Sequence, residues 1–316
     1  MLTLSNFYDL MSQSATIRRD LVDFYLIDIE KPSRVEALRR IYNQLNDGVD
    51  DQGRLELTDD RGREITIQPE YELSELKKDL LFCEEGEAAF FDYVSGLHPG
   101  FDNEFKELVD LLGEPRYDLF FTDRDGTVNN YCGRYRSSVE SAYNAVYLSR
   151  FGRTVRTKPV ILTSAPLQDT GIIEMTVIPE EIYILAGSKG REYRDIHGQR
   201  RTYPMGVEER QRLRELNEEL EALLAEPENR VFRQIGSSFQ PKFGETTVAR
   251  QDVYGSIPET ESQRFKSEVT ALVERISGGE NRFRIEDTGK DLEIVLASAE
   301  GAAQFDKGEG IAFLIE

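Results

Sequence analysis

The sequence predicts an α/β protein built on a parallel sheet, interrupted by an α+β module and preceded by a mainly helical domain. Three observations carry this expectation. Residues 1 to about 112 hold apolar side chains at helical spacing, with one short alternating interruption. Between residues 117 and 186, short apolar runs flank an amphipathic stretch, the strand–helix–strand order that winds a parallel sheet with helices. From about 204 to 300 the order becomes helix, strand, strand, helix, strand, strand, after which a short segment returns to the core. The expected units are 1–112, 113–203, 204–300 and 301–316.

Element by element, Thr16–Ile29 and Val35–Leu45 read as amphipathic helices separated at Pro32. Leu55-Glu-Leu57 and Ile65-Thr-Ile67 alternate around Asp60-Arg-Gly62 and predict a hairpin. Helices follow over 73–82, 87–94 and 105–112. The pattern changes at Pro115, and Tyr117–Thr122 is an apolar strand ended by Asp123-Arg-Asp-Gly-Thr127. Ser137–Arg150 predicts a helix with Ser137 or Ser138 as N-cap and Glu140 nearby. Val160–Ser164 and Ile182–Ala186 are the next strands. In the α+β module the expected helices are 207–224 and 261–276, the second closed by Gly278-Gly279. The expected strands are 230–235, 246–253, 282–286 and 292–296, the last two joined at Thr288-Gly289. A final apolar helix covers 311–315.

The chain has 316 residues, 59 acidic against 39 basic, for a formal charge of −20. Nucleic-acid binding needs a basic surface, so that class is excluded, as is attraction to an anionic membrane face. Cys83 and Cys132 stand far apart in no metal spacing. No apolar signal core follows a basic start and no run reaches membrane-spanning length. A cytoplasmic location is the expectation.

Ligands bind beyond the carboxyl ends of parallel strands, where Asp123, Asp125, Thr163 and Ser164 all fall. Two carboxylates separated by one residue point the same way from an extended strand. One can attack phosphorus while the other handles the proton, splitting a difficult hydrolysis into two displacements. Two anions repel unless a metal neutralises them, and Mg²⁺ suits an all-oxygen site. Gly126 permits the sharp turn after the acids. Thr163 can hydrogen-bond a phosphoryl oxygen, and Lys307, leading the last helix, supplies a cation opposite the metal.

Phe120-Phe-Thr-Asp-Arg-Asp-Gly-Thr127 resembles the first motif of the haloacid dehalogenase superfamily of phosphatases. Ile161-Leu-Thr-Ser164 resembles its second motif, and Phe305-Asp-Lys-Gly-Glu-Gly310 its third. The long insert is similar to the α+β cap of the sugar-phosphatase branch. Within that branch Gly187-Ser-Lys-Gly-Arg-Glu192 resembles the Gly-x-His-Gly-x-Glu segment of trehalose-6-phosphate phosphatases, with Lys189 replacing the histidine. The resemblance covers about residues 116–316.

This resemblance implies that Asp123 is the nucleophile and a Mg²⁺ ligand. Asp125 ligates through its backbone carbonyl and serves as general acid and base. Thr163 and Lys307 hold the phosphoryl group, with Gly126, Thr127 and Ser164 around it. Lys189, Glu192, Lys242, Glu245 and Arg250 are the residues that read the sugar. The cap carries Ala249-Arg-Gln where a His-Tyr-Arg triplet is usual. The family's fourth motif, an acidic Gly-Asp-Asp-x-x-Asp loop, belongs one strand beyond the Lys307 helix, so residues 1–316 are expected to be a fragment. The implied activity is hydrolysis of a sugar phosphate, foremost trehalose 6-phosphate. The alternatives are another compatible-solute phosphate, or a non-catalytic sugar-phosphate sensor. The N-terminal helices are expected to form an accessory module, with a glycosyltransferase as a possible partner.

Overall fold

The computed structural model of the protein describes residues 2–113, 117–280, 282–297 and 305–316. The pattern change at Pro115 and the return expected at 300–301 lie outside the described residues. The chain opens with α1 (Leu4–Tyr25), whose N-cap Thr3 accepts from the Asn6 N–H. This helix starts twelve residues before the expected one because Leu4, Phe7, Tyr8, Met11 and Ala15 continue the buried stripe. In α2 (Pro32–Asn46) the proline stands in the first turn, where its missing N–H costs nothing.

The hairpin forms as expected from β1 (Leu55–Thr58) and β2 (Glu64–Ile67). Asp59 closes its turn by accepting from the Arg61 and Arg63 N–H groups, and Gly62 takes φ +76°. The two helices expected over 73–94 form one interrupted element, α3 (Glu70–Leu97), broken at Gly86 with φ 83°. α4 (Phe101–Gly113) has no buried residue.

The central sheet starts at β3 (Phe121–Asp123), shorter than expected because Tyr117 and Leu119 remain exposed. The helix expected from Ser137 begins later, as α5 (Ala142–Thr154), with Ser141 at its N-cap position. Ser137 and Ser138 instead spend their hydroxyls on partners described below. Glu140 does not cap the helix: its carboxylate accepts from Thr176 Oγ1 and the Val177 N–H at 2.6 and 2.9 Å. Then follow β4 (Val160–Leu162), α6 (Ile172–Met175), β5 (Ile184–Gly187), β6 (Glu192–Arg194) and β7 (Arg200–Thr202).

The sheet order is β3-β4-β5-β6-β7. The first three strands are parallel, as expected, and an antiparallel hairpin absent from the sequence reading widens the sheet. The register puts Asp123, Leu162 and Ala186 in one row. The residues that follow them therefore emerge on one edge.

The α+β module contains α7 (Val207–Ala225), β8 (Phe239–Lys242), β9 (Glu245–Ala249), α8 (Glu259–Ser277), β10 (Phe283–Asp287) and β11 (Asp291–Leu296). Its antiparallel sheet runs β10-β11-β9-β8. The strand expected at 230–235 is instead a short 3₁₀ turn, Arg230–Arg233. Val231, Phe232 and Ile235 are buried at a helical rather than alternating spacing, and Phe232 stacks on Phe265 of α8 at 3.9 Å. β9 ends at Ala249, short of the expected residue 253.

The chain returns through α9 (Lys307–Ile315), capped reciprocally by Asp306 and Glu309. Ile311 and Leu314 pack on Val160, Leu162 and Ala186 of the central sheet. No helix among the described residues is long and apolar enough to cross a membrane.

Candidate active site

The strand end at Asp123 is followed by a tight loop. Arg124 C=O accepts from the Asn129 N–H at 2.9 Å, and the Gly126 N–H donates to Asn129 C=O at 2.7 Å. Gly126 takes φ +81°, a conformation that disfavours any side chain. The carbonyl of Asp125 takes no part in this pairing.

Lys307 reaches Asp123 from the start of α9, Nζ to Oδ1 at 2.8 Å, and the Arg124 N–H donates to the same oxygen at 2.8 Å. Thr163, at the end of β4, donates from Oγ1 to Asp125 Oδ2 at 3.2 Å. Four of the expected residues, Asp123, Asp125, Thr163 and Lys307, thus converge on one sheet edge. The two carboxylates have different partners, because regular strand ends at Asp123 and Asp125 already lies in the loop.

The sequence reading passed over Arg124. It is 2% exposed, and its guanidinium contacts Asp125 Oδ1, Ser138 Oγ and Ser138 C=O. Burial is the largest single influence and opposes its charge, but the Asp125 carboxylate together with Tyr135, Tyr71 and Glu140 outweighs it and the guanidinium is pushed up. Ser138 donates in turn to Asp125 Oδ1 at 3.4 Å. A charge placed between two acids at the end of an apolar strand was the available signal.

A second cluster joins the α+β module to this edge. The Lys189 N–H donates to Thr163 C=O at 2.9 Å, while its side chain pairs with Glu245 at 2.8 Å. Lys242 lies 3.4 Å from the other Glu245 oxygen and donates to Thr247 Oγ1. Burial pushes the Glu245 carboxyl up, but Lys242 and Lys189 outweigh it and the net direction is down. The turn between β8 and β9 sits on the Ser188–Arg191 segment: the Phe243 N–H donates to Ser188 Oγ, and Arg191 to Phe243 C=O. Arg191 is a further residue the sequence reading missed.

Glu192 and Arg250 occupy other places. Glu192 is buried, accepting from Ser188 Oγ and Arg200 Nη2 at the β5–β6 corner. Arg250 donates to Asp287 and Ser262 inside the α+β module. Thr127 is exposed and Ser164 half-buried beside Thr163.

Contact between α9 and the 188–190 turn depends on glycine. A Cβ on Gly310 would lie 2.0 Å from Lys189 C=O, and one on Gly190 would lie 2.7 Å from Gly310 Cα. Gly310→Ala is expected to cost roughly 1–3 kcal/mol through overpacking, seen as a lower urea midpoint. Gly289→Ala, at an open turn with φ +87°, is expected to cost less because only backbone strain is added.

Mg²⁺ binds through one or two carboxylates together with waters and substrate phosphate oxygens. Both contacts made to the Asp123 carboxylate among the described residues fall on Oδ1, and Oδ2 and the Asp125 carbonyl are oxygen donors of the kind Mg²⁺ takes. No group of three or more His, Cys, Asp or Glu suited to a metal occurs among the described residues.

The central sheet and the Asp-x-Asp-Gly-Thr loop on its edge place the chain among the haloacid-dehalogenase-like phosphatases. Residues 120–316 match the family model for the trehalose-6-phosphate phosphatase C-terminal region. Residues 3–98 match that for the trehalose-6-phosphate phosphatase N-terminal helical bundle domain. The chain belongs to the trehalose-6-phosphate phosphatase family.

Among its relatives, UDP-forming alpha,alpha-trehalose-phosphate synthase 1 of Caenorhabditis elegans is 32% identical over 99% of this chain and 25% of that protein. The trehalose-phosphatase of Caenorhabditis briggsae is 27% identical over 90% of this chain and 72% of that protein. A solved trehalose-6-phosphate phosphatase related protein shares 16% identity and a TM-score of 0.43, covering 62% of this chain and 73% of that one. The chain spans about a quarter of the length of the synthase relatives.

Proposed function

We propose that this chain hydrolyses trehalose 6-phosphate to trehalose and phosphate, with Asp123 as nucleophile and Mg²⁺ as cofactor. The observation that carries this reading is the convergence of Asp123, Asp125, Thr163 and Lys307 on one sheet edge. The match of residues 120–316 to the trehalose-6-phosphate phosphatase C-terminal region supports the substrate.

An Asp123 oxygen attacks phosphorus, the bond from phosphorus to the sugar oxygen breaks, and Asp125 gives that oxygen a proton. Asp125 then takes a proton from water as the water attacks the acyl phosphate, releasing phosphate and restoring Asp123. Lys307 and the Thr163 hydroxyl hold phosphoryl oxygens through both steps. Asp123 and the Asp125 carbonyl would hold Mg²⁺, which when bound would supply charge neutralisation. In this reading residues 204–300 form a cap, and Lys189, Lys242 and Glu245 face the sugar at its contact with the core.

Lys307→Met is expected to lower kcat/KM roughly 10²-fold by removing a phosphate-directed cation, leaving the urea midpoint unchanged because the lysine is half-exposed. An unchanged kcat/KM would remove Lys307 from the site. The proposal also includes a glycosyltransferase neighbour, because the synthase relatives extend well beyond the part this chain matches.

The test of the function is phosphate release from a panel of sugar phosphates with Mg²⁺ or with chelator. Metal-dependent release from trehalose 6-phosphate is expected. Release from a different sugar phosphate would overturn the substrate.

A further inference from the structure

The loop that carries Asp125 is held from outside the α/β core. Every turn or so of α3 places a buried acid on the segment after the Asp-x-Asp-Gly-Thr motif. Glu72 accepts from Arg134 Nη2 and from Ser137 Oγ at 2.8 and 2.5 Å. Glu75 accepts from Asn130 Nδ2 and Tyr143 Oη at 2.7 and 2.8 Å. Asp79 accepts from the Tyr143 N–H at 3.2 Å.

Tyr71, the first residue on this face, goes further. Its hydroxyl donates to Val139 C=O at 3.0 Å and accepts from Asn129 Nδ2 at 2.9 Å. Asn129 Nδ2 also lies 3.3 Å from Ser138 Oγ. That hydroxyl accepts from Arg124 at 3.1 Å and donates to Asp125 Oδ1, within the one-donor, two-acceptor capacity of a serine. Burial pushes the Tyr71 phenol well above its ordinary value, so it stays neutral and works only as a hydrogen-bonding group.

We infer that one residue of the N-terminal helical domain, Tyr71, acts as a positioning residue that, through Asn129, Ser138 and Arg124, fixes the Asp125 carboxyl for proton transfer. This rests on the phosphatase reading, in which Asp125 protonates the leaving oxygen. It turns the helical domain from an accessory module into a support that reaches Ser138 and Arg124 through Asn129 and the Val139 carbonyl. A misplacement of about 1 Å at a reacting group can cost 10²-fold, so a relaxed network should register in proton transfer first.

The discriminating measurement uses two substrates. Trehalose 6-phosphate needs a proton on its leaving oxygen, whereas the phenolate of p-nitrophenyl phosphate leaves without one. The ratio kcat/KM reports the steps through breaking of the ester bond for both. Wild type is measured first, then Tyr71→Phe, Ser138→Ala and, as a control on the same domain, Tyr25→Phe, whose hydroxyl bonds Glu87.

Tyr71→Phe and Ser138→Ala are expected to lower kcat/KM for trehalose 6-phosphate about tenfold and leave the aryl ester unaffected, with Tyr25→Phe equal to wild type. Equal losses on both substrates would mean a merely structural role and overturn the inference, as would no loss on either. A wild-type chain inactive on both esters would overturn the phosphatase reading itself, and with it the inference.

Discussion

Asp123→Asn should abolish phosphate release, lowering kcat by roughly 10³-fold or more. An amide oxygen carries no full negative charge, and its attack on phosphorus yields no acyl phosphate that water can cleave. The fold should survive the change, because Asp123 is 40% exposed at the sheet edge and its partner Lys307 is 37% exposed. The lysine retains an oxygen to bond and loses little by facing an amide. Urea unfolding of the variant should therefore overlay on wild type while activity is gone. Full activity in Asp123→Asn would mean that the nucleophile lies elsewhere.

The largest effect on stability is expected at Arg18. Its Nε pairs with Asp79 Oδ2 at 2.6 Å, with the two side chains 2% and 0% exposed. Removing one member of such a pair leaves the other charge buried alone, at a cost of roughly 3–5 kcal/mol. The pH dependence follows from Asp79. Burial pushes its carboxyl up to about 6, against the lowering influence of Arg18. An unfolded aspartate titrates near 3.9, so between about pH 4 and 6 the folded chain binds the extra proton. The stability this group contributes is full below that window and is lost as pH rises through about 6. In Arg18→Ala the lowering influence is gone and the carboxyl moves further up. The variant should thus lose most at pH 7 and clearly less at pH 5, measured by urea unfolding at both. Equal losses at the two pH values would contradict the buried-charge account.

Local signals made much of this fold legible. Proline at 32, glycine at 62 and the pair at 278–279 each end or turn an element, and the structure places them at such boundaries. Alternation identified β1 and β2. The parallel strands were found because apolar runs ended at polar residues. What escaped was decided by packing at a distance. The acids at 72, 75 and 79 have the spacing of a solvated helix face, yet they are buried on Arg134, Asn130 and Arg18 from other parts of the chain. No local pattern announces a partner sixty residues away. Ser137 and Ser138 look like helix caps because cap chemistry and site chemistry use the same hydroxyl. The 230–235 segment was misread because a short apolar run fits a strand or a helical turn equally well, and contact with Phe265 decided it.

The candidate site divides in the same way. Asp123, Asp125, Thr163 and Lys307 stand in ordered motifs; the register of the sheet brings the first three to one edge, and the packing of α9 on the sheet brings Lys307 to them. Lys189, Lys242 and Glu245 meet through the docking of one hairpin turn, which their sequence separation does not encode. Arg250 and Glu192 are charged residues in a matching segment whose ion pairs serve the α+β module and the β5–β6 corner.

The central claim is that phosphate passes through Asp123. The most direct test is acid quenching of the chain during turnover of trehalose 6-phosphate, followed by mass spectrometry of its peptides. The account predicts the mass of one phosphoryl group on the peptide containing Asp123 in wild type, and none in Asp123→Asn. Turnover with no phosphorylated peptide, or with the label on another residue, would contradict it.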